Sequence, residues 1–179
     1  MELFFLIHCD ELEQITRRQL RSRIGQLGFE PQNLTHTISL LITRITHLFA
    51  TAALGLVPAD LMNDLKTMGF FFEAMCVRDL RVFAEALNGK VYHYRDKSGL
   101  ECDAVVHLRN GQYGLIEVKL GGETLINEGI ETLTSLAKQI DTTRMKAPAF
   151  KMILTATGEH AYRRPEDGIY IVPIGCLKQ

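Results

Sequence analysis

The sequence feature that most constrains the fold is a pair of apolar segments joined by a short turn. The first segment covers residues 100–106, the second covers residues 113–119, and the polar residues 109–112 between them are typical of a turn. Both segments are apolar enough to be buried strands of a β-hairpin. A charged side chain in a core strand is costly unless it is paired or bound to a metal ion. The hairpin nevertheless carries three ionisable residues, Asp103, Glu117 and Lys119.

The turn decides which of these side chains meet. Side chains alternate between the two faces of a strand, so Glu117 and Lys119 project on the same side. A two-residue turn would direct Asp103 away from Glu117. A three-residue loop over residues 109–111, with its glycine as a left-handed bulge, places Asp103 opposite Glu117 and Glu101 opposite Lys119. We predict the three-residue loop, and Asp103 and Glu117 on opposite faces would contradict a shared site.

Composition narrows the class of protein. The chain has 179 residues and 46% hydrophobic content, which suits one domain with a helical attachment. The net charge of -1 excludes a globally basic nucleic-acid-binding protein, so such a surface would have to be local. The four cysteines are scattered and form no CxxC pair, which favours buried thiols in a reducing cytoplasm over a zinc site or disulfides.

Neither export nor membrane insertion is expected. The apolar N-terminus is short, lacks a basic leader and meets Asp10 at once. The longest apolar stretch, residues 38–57, contains Arg44 and His47, whereas a membrane span needs about 20 residues with almost no charge. An amphipathic or buried helix fits this stretch better.

The rest of the chain predicts an α/β domain. Residues 1–55 form an N-terminal helical segment, with helices over roughly residues 10–27 and 34–54. Residues 56–179 form the second unit. Its apolar periodicity predicts a helix, three strands, a helix and two strands, over residues 65–87, 91–94, 100–106, 113–119, 127–140, 150–155 and 168–173. The strand–helix–strand crossover implies a parallel pair beside an antiparallel meander, hence a mixed sheet flanked by helices.

The charged residues of the hairpin indicate metal-dependent hydrolysis. Asp103 and Glu117 would supply oxygen ligands to Mg²⁺ or Mn²⁺, and the Val118 carbonyl could add another. Lys119 would orient or polarise the attacking water and neutralise charge on a phosphate. Glu73, on the preceding helix, could enter the site, or it could favour the positive end of the helix dipole. The alternative for the other three residues is a buried ion pair left in a site that has lost its activity.

Two groups of residues could contact phosphates. Arg95 and Lys97 lie at the strand end nearest the proposed site, although exposed turn charges are the simpler explanation of both. Tyr162, Arg163 and Arg164 form a basic, aromatic loop suited to holding a nucleic-acid backbone, or else an ordinary solvated loop.

From about residue 52 to the C-terminus, the chain resembles the DUF4143 domain of prokaryotic P-loop ATPases. The resemblance covers about two thirds of the chain. The residues that carry it are Gly69-Phe70-Phe71-Phe72-Glu73, Val77-Arg78-Asp79-Leu80, Tyr92-His93-Tyr94-Arg95-Asp96, Gly99-Leu100-Glu101-Cys102-Asp103, Ile116-Glu117-Val118-Lys119, Ala161-Tyr162-Arg163-Arg164-Pro165 and Val172-Pro173-Ile174-Gly175.

The resemblance implies a restriction-endonuclease-like fold of the PD-(D/E)xK class, whose Asp-x13-Glu-x-Lys spacing the hairpin shares. It places the family's catalytic positions at Glu73, Asp103, Glu117 and Lys119, and it implies a partner ATPase. No G-x-x-x-x-G-K-[ST] motif occurs in this sequence, so the ATPase half of the family architecture is not in it.

Two functions from different classes follow. The first is a Mg²⁺-dependent nuclease that hydrolyses phosphodiesters. The second is a catalytically inactive module that binds DNA or a partner protein through the same fold. In either case the expected partners are nucleic acid, an ATPase or a second copy of the chain.

Overall fold

A computed structural model describes residues 55–56 and 58–177 of the chain. The predicted helices over residues 10–27 and 34–54 lie outside the described residues, so the fold below is that of the C-terminal unit.

Two helices open the described part of the chain. Helix α1 covers Pro58–Asn63 and helix α2 covers Leu65–Ala86. Asp64 caps α2, because its carboxylate accepts hydrogen bonds from the backbone N–H of Thr67 at 3.1 Å and from the Thr67 hydroxyl at 2.6 Å. The predicted end of α2 is confirmed within a residue. Asn88 there has a positive φ of 56°, which turns the chain into the first strand.

The remaining elements form one sheet and a crossover helix. They are β1 Gly89–Arg95, β2 Glu101–Leu108, β3 Tyr113–Lys119, α3 Glu123–Gln139, β4 Phe150–Thr155, β5 Tyr162–Arg163 and β6 Tyr170–Pro173, with a 3₁₀ turn at Ile174–Cys176. The strand order is β1-β2-β3-β4-β6-β5. Strands β1, β2 and β3 form an antiparallel meander, β4 is parallel to both β3 and β6, and β5 is antiparallel to β6. The predicted mixed sheet is therefore confirmed.

Apolar side chains pack on both faces of the sheet. The cluster beneath α2 includes Phe72, Leu80, Ala104, Ile116 and Leu154. The cluster on the opposite face, which α3 covers, includes Cys102, Leu115, Leu133, Ile153 and Ile171. The three-layer arrangement places β3 between the two helices, with neighbours on both edges.

Helix α3 begins four residues before the predicted start at residue 127. Gly121 and Gly122 have φ values of 123° and 86°, so the chain turns there and the helix starts directly after them. Leu133 and Leu136 of this helix are buried.

Within the described residues, Cys76, Cys102 and Cys176 are buried thiols rather than disulfides, in agreement with the expectation from the sequence. None of the described helices combines the length and the apolar character that a bilayer crossing requires.

Candidate functional site

The hairpin turn has the predicted three-residue form. The Leu108 N–H donates to the Gln112 carbonyl at 2.8 Å, and the Gly111 N–H donates to the Leu108 carbonyl at 3.0 Å. Gly111 has a φ of 78°, the left-handed conformation expected of the bulge residue. The register runs from His107 opposite Tyr113 to Ala104 opposite Ile116. The three-residue loop is therefore confirmed, and so is the register as far as Ala104 and Ile116. The predicted pairs of Asp103 with Glu117 and of Glu101 with Lys119 lie beyond the last paired residues and are not formed.

A second irregularity, absent from the prediction, lies at Asp103 itself. Cys102 belongs to the cluster beneath α3, whereas Ala104 belongs to the cluster beneath α2. Residues two apart in a regular strand share a face, so the alternation is interrupted at Asp103. The register between β1 and β2 also shifts at this point, between Tyr92 and Tyr94. Strand β2 thus has a β-bulge at the candidate catalytic aspartate.

The bulge brings the Asp103 side chain to the backbone of β3. Its Oδ2 accepts a hydrogen bond from the Val118 N–H at 2.7 Å. In a regular antiparallel ladder every second pair of opposite residues is hydrogen-bonded. Counted from the hydrogen-bonded Leu108 and Gln112, the Val118 N–H would then donate to the Cys102 carbonyl. The carboxylate takes the place of the Cys102 carbonyl. Asp103 therefore binds β3 one residue beyond Glu117, past the last ladder pair.

Glu117 is the buried acid of the site, with 3% of its surface exposed. Burial and the nearby Asp103 charge raise the pKa of Glu117 to about 7, and the Lys119 ammonium opposes this shift only in part. The Lys119 Nζ lies 2.9 Å from Glu117 Oε2. The site thus holds a carboxyl group that exchanges its proton near neutral pH.

Lys119 stays protonated. Burial alone would lower the pKa of Lys119, but the Glu117 and Asp103 carboxylates raise it above its ordinary value, with a contribution from Glu128 on α3. The pKa values of the two ion-pair partners therefore move in the same direction. For lysine the attraction of the carboxylates outweighs burial, whereas for Glu117 burial and repulsion outweigh the attraction of the lysine.

Gly129 lets α3 approach this pair closely. A Cβ at Gly129 would lie 3.1 Å from Ile153 Cδ1, 3.4 Å from Lys119 Cε and 3.6 Å from Glu117 Cβ. Glycine costs about 1 kcal/mol relative to alanine within a helix, so a buried glycine there indicates a packing requirement. The predicted site did not include Gly129, although a glycine inside a predicted helix was the available signal.

The site opens into a pocket of about 320 Å³, the hairpin pocket. Its lining residues are Gly99, Leu100, Glu101, Asp103, Glu117, Lys119 and Thr132. The two predicted carboxylates and the lysine therefore share one cavity. Thr132 was not predicted here, and Glu101 was predicted to lie opposite Lys119 but was not given a role in the site.

Glu73 lies beside the site but does not line the hairpin pocket. Burial, together with the charges of Asp103 and Glu101, raises the pKa of Glu73. Glu73 is more than two turns from the start of α2 at Leu65, whereas dipole effects fade within the first turn. The helix-dipole explanation of Glu73 is therefore wrong, and its electrostatic coupling is to the hairpin carboxylates.

The predicted phosphate-contacting residues are not brought together. Arg95 ends β1, and Lys97 is exposed in the turn that follows. Tyr162 and Arg163 form β5, at the other edge of the described sheet. Five strand spacings, about 24 Å, separate the two edges. Only the β1 group lies near the hairpin pocket.

The loop after β5 is stabilised by its own contacts. Arg163 Nε donates to the Gly168 carbonyl at 3.3 Å, and its guanidinium lies 5.5 Å from the centre of the Tyr170 ring. Arg164 forms an ion pair with Asp167 at 2.9 Å. An open pocket of about 450 Å³ lies here, larger than the hairpin pocket. In the pocket beside β5, Arg164 is paired with Asp167 and Arg163 contacts Gly168 and Tyr170, and this pocket is remote from Glu117. The hairpin pocket is therefore the better candidate site.

The residues fit a metal ion only as a partial ligand set. Among the described residues, no group of three or more histidine, cysteine, aspartate or glutamate side chains is placed to hold a metal. Asp103 and Glu117 would supply two carboxylates, and Mg²⁺ commonly keeps several waters when one or two carboxylates bind it.

The comparison with protein-family models agrees with the resemblance seen in the sequence. Residues 68–177 match the family model described as a domain of unknown function, DUF4143. The search of curated proteins found no match. One similar solved structure is the refined half-complex from the tetradecameric assembly of Thermococcus gammatolerans McrB AAA+ hexamers with bound McrC, with 16% identity and a TM-score of 0.37.

That similarity covers 97% of this chain and 48% of the other, so this chain spans about half the length of its neighbour. At this TM-score we base no conclusion on it. The family match covers more than half of the chain, and the protein therefore belongs to the DUF4143 family.

Proposed function

We propose that this domain binds Mg²⁺ or Mn²⁺ and hydrolyses phosphodiester bonds of nucleic acid, on a restriction-endonuclease-like core of the PD-(D/E)xK class. The observation that carries the proposal is the buried Glu117, with its Oε2 2.9 Å from the Lys119 Nζ. Asp103 lines the same pocket. Burial and the neighbouring Asp103 both disfavour the ionised form of Glu117. The presence of two acids in this position is explained best by a cation that binds both of them.

The carboxylates have the chemistry that such an ion requires. Asp103 holds the Val118 N–H with Oδ2, and Glu117 holds Lys119 with Oε2, so each carboxylate has a second oxygen to offer. When bound, the ion would lower the pKa of a water molecule and offset negative charge on the phosphate. The sequence order Asp-x13-Glu-x-Lys supports the same assignment.

Lys119 would hold the reacting groups in place. Its ammonium carries a full positive charge inside the pocket, where it can donate a hydrogen bond to a phosphate oxygen or to the attacking water. Glu117 accepts one of its hydrogen bonds and so orients it. Glu73 would act on the site through its charge, since it lies outside the pocket lining.

The alternative is a catalytically inactive module that binds DNA or a partner protein, such as the P-loop ATPase that the family resemblance implies. One observation favours it. Lys119 and Glu117 already satisfy each other as an ion pair, and the described residues offer no three-ligand group. In this reading the hairpin charges are structural.

Metal binding separates the two functions. We expect calorimetry to detect Mg²⁺ or Mn²⁺ binding by the protein, and we expect E117Q and D103N to abolish it. Glu159→Gln is the matched control, because it removes one carboxylate charge at an exposed position outside the hairpin pocket.

Cleavage of labelled single- and double-stranded DNA and RNA then tests the chemistry. We expect the activity to require the divalent ion and to be lost in E117Q, D103N and Lys119→Gln. Nucleic-acid binding that is independent of metal and occurs without cleavage would contradict the nuclease proposal and support the inactive module.

A further inference from the structure

We propose that His93 and Arg95 form a phosphate-binding subsite at the rim of the hairpin pocket, which the Glu101 carboxylate occupies in the free protein. The inference rests on the proposed function for its substrate class, the phosphodiester backbone of a nucleic acid. It adds Glu101 as an internal competitor for that backbone.

The Glu101 carboxylate forms an ion pair with both His93 and Arg95. Arg95 Nη1 lies 3.3 Å from Glu101 Oε2, and His93 Nε2 lies 3.5 Å from Glu101 Oε1. Two side-chain nitrogens therefore lie at ion-pair distance from different oxygens of one carboxylate. A phosphate presents oxygens in a similar arrangement, and arginine is especially suited to binding both groups.

The position of this subsite matches the proposed chemistry. Glu101 lines the hairpin pocket with Asp103, Glu117 and Lys119. His93 and Arg95 are two residues apart on β1, so they project from the same face of the strand. A phosphate bound by these residues would lie beside the carboxylates that we propose as metal ligands.

The Glu101 carboxylate can be displaced at low cost. The side chains of His93, Arg95 and Glu101 are 49%, 66% and 41% exposed. Ion pairs this exposed contribute about 0–1 kcal/mol, because water screens them. Glu101 also repels Asp103 and Glu73, since its charge raises the pKa of both residues. Movement of Glu101 away from the subsite would relieve this repulsion.

Equilibrium binding of a short fluorescein-labelled single-stranded oligodeoxynucleotide tests the subsite. The assay is run in EDTA at low salt, so that neither metal binding nor cleavage contributes. Displacing an exposed ion pair costs up to about 1 kcal/mol, so we expect Glu101→Gln to bind about two- to fivefold more tightly than the unmodified protein. We expect Arg95→Gln and His93→Gln to bind more weakly.

Two controls separate a local competitor from a general charge effect. Glu159→Gln removes the same charge at an exposed position outside the pocket, and we expect it to leave the affinity unchanged. In the double variant that combines Glu101→Gln with Arg95→Gln, the gain from Glu101→Gln should disappear. Equal gains in Glu159→Gln and Glu101→Gln, or additive effects in the double variant, would overturn the inference.

Inorganic phosphate is the second probe. We expect inorganic phosphate to compete with the labelled oligonucleotide for the unmodified protein, and we expect Arg95→Gln to abolish this competition. Competition that is unchanged in Arg95→Gln would overturn the inference. So would the absence of measurable oligonucleotide binding in Glu101→Gln. The three side chains are exposed, and thermal unfolding followed by circular dichroism verifies that each variant folds.

The binding readout is independent of the proposed reaction. If the protein shows the expected binding pattern but no cleavage, the nuclease proposal is wrong and the phosphate subsite is still supported. If the protein cleaves in a metal-dependent way but Glu101→Gln does not change binding, the phosphate subsite is wrong and the nuclease proposal is still supported.

Discussion

Glu117 has conflicting contacts. Its side chain is buried, one neighbour is a like charge, and the other is the ammonium of Lys119 at 2.9 Å. Breaking a buried pair by removing one partner leaves an uncompensated charge. Lys119→Met should therefore raise the pKa of Glu117 further, whereas Glu117→Gln leaves a lysine that can still turn toward the open pocket.

The raised pKa of Glu117 predicts how stability depends on pH. Its pKa rises from 4.5 to about 7 on folding, so the folded state binds the proton more tightly than the unfolded state. The free energy of unfolding should have its full value below pH 4.5 and fall as the pH rises through 7, by at most about 3 kcal/mol. Urea unfolding between pH 5 and pH 8 measures this slope.

Glu117→Gln is the test of that assignment, because glutamine resembles the protonated acid and does not titrate. We expect the pH slope to flatten in this variant. The Asp103 pKa is also raised, so a smaller slope of the same sign should remain at lower pH. An unchanged slope in Glu117→Gln would show that another group titrates.

Asp103 has a structural role that its charge alone does not reveal. Its carboxylate accepts the Val118 N–H that a regular ladder would pair with a carbonyl. Asp103→Ala should therefore leave a backbone donor without its acceptor, and we expect a loss of about 1–3 kcal/mol in the free energy of unfolding.

Asp103→Asn keeps an acceptor oxygen of the same shape, so it should cost less than Asp103→Ala. It should still abolish metal binding, because the charge is gone. Urea unfolding of both variants, beside calorimetric titration with Mg²⁺, separates the two roles. Equal destabilisation by alanine and asparagine would contradict the role of the hydrogen bond.

At the level of elements, the sequence predicted the hairpin well because local rules control it. An apolar segment bounded by turn residues marked β3 to the residue, and the register from His107 and Tyr113 to Ala104 and Ile116 followed from the three-residue loop. The bulge at Asp103 could not be predicted, because it depends on pairing with β1, where the register shifts between Tyr92 and Tyr94. Strand β5 was not predicted, because it has only two residues, both exposed, and so shows no alternation of apolar and polar side chains.

The site residues likewise divide into those that local sequence indicates and those that depend on contacts between distant segments. Asp103, Glu117 and Lys119 were predicted because charge inside an apolar strand is visible in sequence. Gly129 and Thr132 belong to α3, and their place beside β3 depends on how the crossover helix packs. That packing is a long-range property, which no local pattern encodes.

Gly111 provides a test of the turn. Its φ is 78°, and a Cβ there would meet nothing within 4 Å, so Gly111→Ala should be costly only through the backbone, by about 1 kcal/mol. Gly69 is the matched control. It lies in α2 with nothing within 4 Å of its Cβ position, so Gly69→Ala should raise the free energy of unfolding by up to about 1 kcal/mol.

Opposite effects of these two alanines in urea unfolding would confirm the left-handed turn residue. A neutral Gly111→Ala would indicate that the hairpin closes with a different loop.

At the level of the whole domain, Glu117 and Lys119 lie on a central strand of the described sheet. Strand β3 pairs with β2 and β4, and helices pack on both of its faces. Catalytic groups need supports that are themselves fixed by packing. The sheet edges, where Arg95 and Tyr162 lie, carry the exposed residues.

Metal binding should stabilise the whole domain in a pH-dependent way. A carboxyl group must lose its proton to bind a metal ion, so protonation of Glu117 competes with Mg²⁺ below pH 7. We expect the apparent affinity to be about tenfold weaker at pH 6 than at pH 8. The Mg²⁺-induced rise in Tm should be larger at pH 8, and absent in Glu117→Gln. An affinity that does not change with pH would contradict Glu117 as a ligand.

The hydrogen bond from Val118 to Asp103 also affects how sequences of this family are compared. Because Asp103 completes the ladder, a relative that had lost its chemistry would still be selected to keep this aspartate for its fold. Ionised Glu117, in contrast, destabilises the core, so selection for stability alone would replace it. If the proposed function is correct, position 117 is therefore the one at which divergence among relatives should mark its loss, whereas an intact aspartate at position 103 carries little information about it.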